Sequence, residues 1–95
     1  MALETTPFDA GKYLKTRERQ AEYLRAALED GEPGTIALVL GDIARARGAS
    51  ELARETGLSR ETIYKTFRAG GNPTLDTLSR VAKALGLRLT LEPAA

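Results

Sequence analysis

The chain has 95 residues, enough for one helical domain with a real core and too few for two. Hydrophobic and charged contents of 42% and 28% are those of an ordinary globular chain, and there is neither cysteine nor histidine. That excludes a disulfide framework and thiolate chemistry, and removes the commonest metal ligand and general base. The net charge of +1 is unevenly divided. Residues 1–41 carry five Lys/Arg against seven Asp/Glu, whereas 42–91 carry nine against five, and Glu92 restores the total. A basic half of this kind suits a polyanionic partner; the alternative is a solvated surface of mixed sign, which charge alone favours. The longest apolar run, 36–40, is far too short for a bilayer, and the N-terminus has no signal-peptide pattern. No membrane partner and a cytoplasmic location are therefore expected.

Residues 1–8 show no periodicity. Asp9 is placed to cap a short helical turn through Tyr13 and Leu14. Thr16 then has the character of an N-cap for a longer helix that ends near Asp30, with Gly31 as its stop signal. Ala21, Leu24, Ala27 and Leu28 fall on one face of that helix, with Tyr23 to one side. Pro33 suits the first turn of the next helix, whose Ile36, Val39, Leu40, Ile43 and Ala44 form a well-patterned buried face. Arg45 and Arg47 favour its C-terminal end, and Gly48 closes it.

Residues 49–68 are the most informative part of the chain. Ser50 is expected to cap one helix, Gly57 to end it with φ > 0, and Ser59 to cap the next. Ala53 sits where the two helices must pass closely, Leu58 can pack under the turn, and Ile63, one turn into the second helix, points back at the first. This spacing predicts a helix, a tight turn and a second helix suited to the major groove of DNA. Residues 70–73 are a loop by composition. Thr74 caps a final helix with Leu75, Leu78, Val81, Ala82 and Leu85 on one face, ended by Gly86. Leu87, Leu89 and Leu91 then alternate with Arg88 and Thr90, the period of a half-buried strand. No other segment has that pattern, and a lone strand cannot satisfy its backbone. It is expected to pair between chains, with its own copy in a homodimer or with a partner's sheet edge. The alternative is an extended tail packed on the helices.

On a helix starting after Ser59, Ile63 and Phe67 face the core. Arg60, Glu61, Tyr64, Lys65 and Arg68 are left facing outward as base-reading candidates, with Thr62 on the flank. Arg60 and Lys65 are able to donate to guanine O6 and N7, Glu61 to accept from cytosine N4, and Tyr64 to cover a thymine methyl or a sugar. Glu61 also suits the first turn of a helix electrostatically, and Tyr64 has the alternative of packing on a neighbouring helix. Ser50, Ser59, Thr62, Asn72 and Thr74 are the phosphate candidates, since helix N-termini and free backbone amides attract anions.

With these motifs laid out, residues 36–86 resemble the Cro/CI or Xre-type helix-turn-helix fold, a five-helix DNA-binding domain. The stretch from Phe8 to Pro93 resembles the probable addiction-module antidote family, the HigA-like antitoxins. The likeness is carried by Phe8-Asp9 with Tyr13-Leu14, by Tyr23-Leu24 with Ala27-Leu28-Glu29-Asp30-Gly31, and by 40–48 and 51–61. Tyr64-Lys65, Gly71-Asn72-Pro73 and 83–90 complete it. One departure is Thr66, three residues after Ile63, where the general pattern has an apolar side chain; Phe67 stands beside it.

The resemblance implies an all-α protein in two parts. Residues 1–32 would be an N-terminal helical extension for toxin or dimer contacts, and 33–95 a helix-turn-helix domain with a C-terminal strand, using Leu87, Leu89 and Leu91 to meet another chain. It further implies a homodimeric antitoxin that neutralises a RelE/ParE-like (HigB-like) toxin. The same protein would repress its own operon by binding double-stranded DNA at a palindromic operator. A plain phage-type repressor without a toxin is the nearest alternative, and the acidic segment 18–32 is what such a repressor does not need. A domain used only for protein contacts has no need of Arg60, Lys65 and Arg68 together. No Gly-rich phosphate loop, metal cluster or nucleophile motif is present, so neither catalysis nor a cofactor is expected.

Overall fold

Thr16 opens the first long helix: its backbone is extended and its side-chain oxygen accepts from the Arg19 amide at 3.1 Å. The computed structural model describes residues 10–94 and places six helices in that span. These are α1 (Ala10–Tyr13), α2 (Arg17–Asp30), α3 (Pro33–Arg47), α4 (Ala49–Thr56), α5 (Arg60–Thr66) and α6 (Leu75–Ala84). Among the described residues there is no strand, so the all-helical class holds for a single copy. The expected Asp9 cap lies outside the described residues. Ser59 and Thr74 cap α5 and α6 as expected, and Gly31 ends α2 in the left-handed region at φ 79°. Glu32, which sequence spacing did not single out, caps α3 by accepting from the Gly34 amide at 2.8 Å, with Pro33 in the first turn.

Three expectations need correction. Ser50 does not cap α4. Gly48, at φ 106°, holds the N-cap position without a side-chain bond, and α4 starts at Ala49 because that residue is buried at once. Ser50 lies exposed within the first turn. Of the apolar stripe expected on α2, only Ala27 is buried and Leu24 half-buried; Ala21 is exposed, and Leu28 is 54% exposed. Gln20 is buried instead, because its amide donates to the Leu14 carbonyl at 3.1 Å and accepts from Nε of Arg47 at 2.7 Å. A buried polar group is tolerated there because both ends are satisfied. Finally, 33–95 holds four of the described helices, α3–α6, and a five-helix body is reached only by including α2.

One core joins all of them. Leu14, Ala27, Ile43, Leu52, Ile63, Phe67, Val81 and Leu85 belong to a single buried cluster, so the N-terminal segment and the basic half are packed together.

A polar bridge also holds α2 to α3. The Tyr23 hydroxyl donates to Asp42 Oδ2 at 2.7 Å, and Arg45 meets Asp42 Oδ1 at 2.5 Å. Burial first, then the hydrogen bond to Asp42 and its charge, push the Tyr23 phenol up to about 12, with Arg45 acting in the other direction. An unfolded tyrosine titrates near 10. Between these values the folded chain keeps a proton that the unfolded chain has lost. The bridge therefore contributes fully below about pH 10, and its contribution falls as pH rises toward about 12. Chemical denaturation across that window is expected to show this loss in the native chain and a shallower one in Tyr23→Phe.

Candidate nucleic-acid interface

The segment between α4 and α5 is only three residues long, Gly57, Leu58 and Ser59. Gly57 takes φ 79° and its amide donates to the Ala53 carbonyl at 3.0 Å, which ends α4 without a Cβ clash. The Thr56 hydroxyl donates to the Leu52 carbonyl at 2.8 Å and accepts from the Leu58 amide at 3.2 Å. Arg80 reaches over from α6 to donate to the Thr56 carbonyl at 3.2 Å, and pairs with Asp76 at 3.1 Å. The C-terminal end of α4, where carbonyls lack helical partners, is thereby occupied from three sides.

Ser59 starts α5 by accepting from the Thr62 amide at 3.0 Å and donating to the Thr62 hydroxyl at 2.9 Å. Ile63 and Phe67 are buried to 1% and 0% exposure. Phe67 lies just beyond the last helical residue, with φ −102° and ψ 74°, and its amide still donates to Ile63. That exit from the helix swings Phe67 into the core, while Thr66 is half-buried. The missing apolar residue at 66 is thus replaced by its neighbour. Leu58 and Ala53 pack against the same cluster.

With its inner side fixed in this way, α5 presents Arg60, Glu61, Tyr64, Lys65 and Arg68 at the surface, the last just after the helix. Three cations face one carboxylate over residues 60–68, and among the described residues none of these four charges is in an ion pair. The Arg60 guanidinium lies 5.8 Å from the Tyr64 ring centroid, close enough to orient both groups one helical turn apart. The phosphate candidates are more dispersed. Thr62 is half-buried beside Ser59; Asn72 and Thr74 are exposed in and after the loop that follows α5; Ser50 is exposed on α4. Thr74 repeats the Ser59 arrangement, accepting from the Thr77 amide at 3.1 Å and donating to its hydroxyl at 3.0 Å. The loop turns back through a 2.8 Å bond from the Gly71 amide to the Arg68 carbonyl. Among the described residues, no hydrogen bond joins Ser50, Asn72 or Thr74 to the base-reading candidates on α5.

After α6 the Leu87 amide donates to the Ala82 carbonyl at 2.8 Å and its side chain is half-buried. Leu89 is 46% exposed and Leu91 is 96% exposed, so the segment leaves the body progressively. Within one copy it forms no ladder.

Two supporting residues escaped sequence reasoning. Arg80 gives only the local signal of an i, i+4 pair with Asp76, and nothing local marks its reach to the Thr56 carbonyl on α4. Gly41 does give a local signal: a glycine inside a helix costs about 1 kcal/mol and calls for a packing reason. A Cβ there would lie 1.9 Å from the Phe67 carbonyl oxygen, so Gly41 is what allows α3 to approach the end of α5.

No described helix is long and apolar enough to cross a membrane. The family model for the probable addiction module antidote protein matches residues 4–93 of this chain. A protein of Haemophilus influenzae (strain ATCC 51907 / DSM 11121 / KW20 / Rd), described as uncharacterized, is 39% identical over 92 residues, covering 97% of this chain and 95% of its own. No solved structure matches. A match over nearly the whole length, on a helical chain that presents an exposed cationic helix, places this protein in the family of probable addiction module antidote proteins.

Proposed function

We propose that this antidote is a HigA-like, cytoplasmic antitoxin that works as a homodimer, with α4, the three-residue turn and α5 serving as a Cro/CI (Xre)-type helix-turn-helix. In this reading α5 enters the major groove at a palindromic operator of its own operon. Arg60, Glu61, Tyr64, Lys65 and Arg68 face base edges, and Ser50, Ser59, Thr62, Asn72 and Thr74 meet phosphates. The observation that carries the reading is the division of α5 between a buried side, Ile63 with Phe67, and an exposed side with three cations unpaired among the described residues. Residues 33–95 supply DNA binding and residues 1–32 supply toxin or dimer contacts; exposed Glu18, Glu22 and Glu29 on α2 suit a basic partner. The toxin is a RelE/ParE-like (HigB-like) protein, and Leu87, Leu89 and Leu91 pair with another chain.

Co-expression with the adjacent reading frame tests the antitoxin half. Growth rescue together with co-purification of the two products is the expected result. A harmless neighbour that does not co-purify would leave a plain repressor.

A further inference from the structure

Beside α2 lies a groove of about 220 Å³ with an apolar lining that includes Ala21, Leu24, Ile43 and Leu87, and with Arg17 and Arg47 at its edge. The groove is half-furnished by the tail itself. Leu87 seats on its own body, whereas Leu91, which shares the same strand face by the two-residue alternation, is 96% exposed. A chain that buries one end of an apolar strand face and holds the other end in water has placed that end for another surface.

We propose that the tails of two copies form an antiparallel ribbon centred on Leu89, in which Leu91 of each copy seats in the groove of the other. This rests on the homodimer of the reading above and fixes its register. A two-fold axis at Leu89 sets Leu91 of one copy opposite Leu87 of the other, on the same face, where Leu87 already lines the groove. The same register sets Glu92 opposite Gly86. A Cβ on Gly86 would lie 3.5 Å from Nη1 of Arg17, so Glu92 arrives beside that guanidinium. Glu92 is the one Asp or Glu in the sequence after Asp76. Arg17 has no ion pair among the described residues. Glu51 and Glu55 border the adjoining cavity with both arginines. Burial, and then the Arg17 charge, hold the Arg47 guanidinium below its ordinary value, with Glu55 opposing this. Glu92 of the other copy would join Glu51 and Glu55 around the two guanidinium groups.

Sedimentation of the full chain and its variants reads the dimer dissociation constant. Leu91→Asp is expected to weaken the dimer at least about tenfold, because each dimer loses two buried leucines. Glu92→Arg is expected to weaken it about threefold, and Arg17→Glu added to Glu92→Arg to restore it. Leu91, Glu92 and Arg17 are all exposed in one copy, so helical content serves as the folding control. The sequence has no cysteine, so Ala21→Cys protein mixed with Leu91→Cys protein is expected to give a mixed disulfide on mild oxidation. A native dimer whose dissociation constant ignores these substitutions would overturn the groove assignment and leave the homodimer standing. Loss of folding stability in Leu91→Asp without a change in the dimer would show the tail packed on its own body, and overturn it equally. A monomeric native chain would overturn both this inference and the homodimer.

Discussion

Gly41→Ala is expected to destabilise the chain by about 3 kcal/mol, although alanine is the better helix former by about 1 kcal/mol. The new Cβ would sit 1.9 Å from the Phe67 carbonyl oxygen and 2.9 Å from its carbon. Both are backbone atoms, so no rotamer change relieves the overlap; α3 and the end of α5 must separate. Phe67 is fully buried and closes the inner side of α5, so the separation opens the core at the helix that carries the exposed cations. A loss of this size is a large part of the roughly 5–15 kcal/mol that holds a small domain together. Urea denaturation of the variant checks it, and a variant as stable as the native chain would mean that α3 and α5 do not meet in this way.

The second large effect falls on DNA. Arg60→Ala combined with Lys65→Ala is expected to weaken operator binding by about 2–6 kcal/mol, since each base-reading pair contributes about 1–3 kcal/mol. Stability should change by less than about 0.5 kcal/mol per site, because both side chains are exposed and neither is in an ion pair among the described residues. Titration of operator and unrelated duplexes at several salt concentrations separates the two kinds of contact. Loss on the operator alone marks base reading. An equal loss on every sequence, with a shallower salt dependence, would reduce both residues to phosphate contacts.

Most of the helical framework was legible in the sequence because its punctuation is local. Thr16, Ser59 and Thr74 each accept a hydrogen bond from an amide three residues on, and Gly31 and Gly57 each need a left-handed backbone. Such signals need no knowledge of the rest of the chain. The inner side of α5 was equally legible, since Ile63 and Phe67 are four residues apart on one face. What periodicity missed was set by tertiary contact. Leu28 and Ala21 have the spacing of a buried stripe, but α3 covers α2 at Ala27 and Leu24, and Gln20 is drawn inward by the Leu14 carbonyl and Arg47. Ser50 has the chemistry of a cap, yet with Ala49 already buried the helix starts two residues earlier, with Gly48 at the N-cap. Arg80 bridges 24 residues to reach Thr56, and no local pattern encodes that. The tail is the opposite case: its alternation is plain in the sequence, yet within one copy it forms no ladder.

Footprinting of the duplex upstream of the protein's own reading frame, with the native chain, tests the central claim most directly. Two protected major-groove segments about 34–36 Å apart, one helical turn, are the expected result, because two α5 helices related by a dimer axis must meet the same face of DNA. A single unrepeated half-site, or uniform protection without sequence preference, would contradict an antidote that reads its own operator as a dimer.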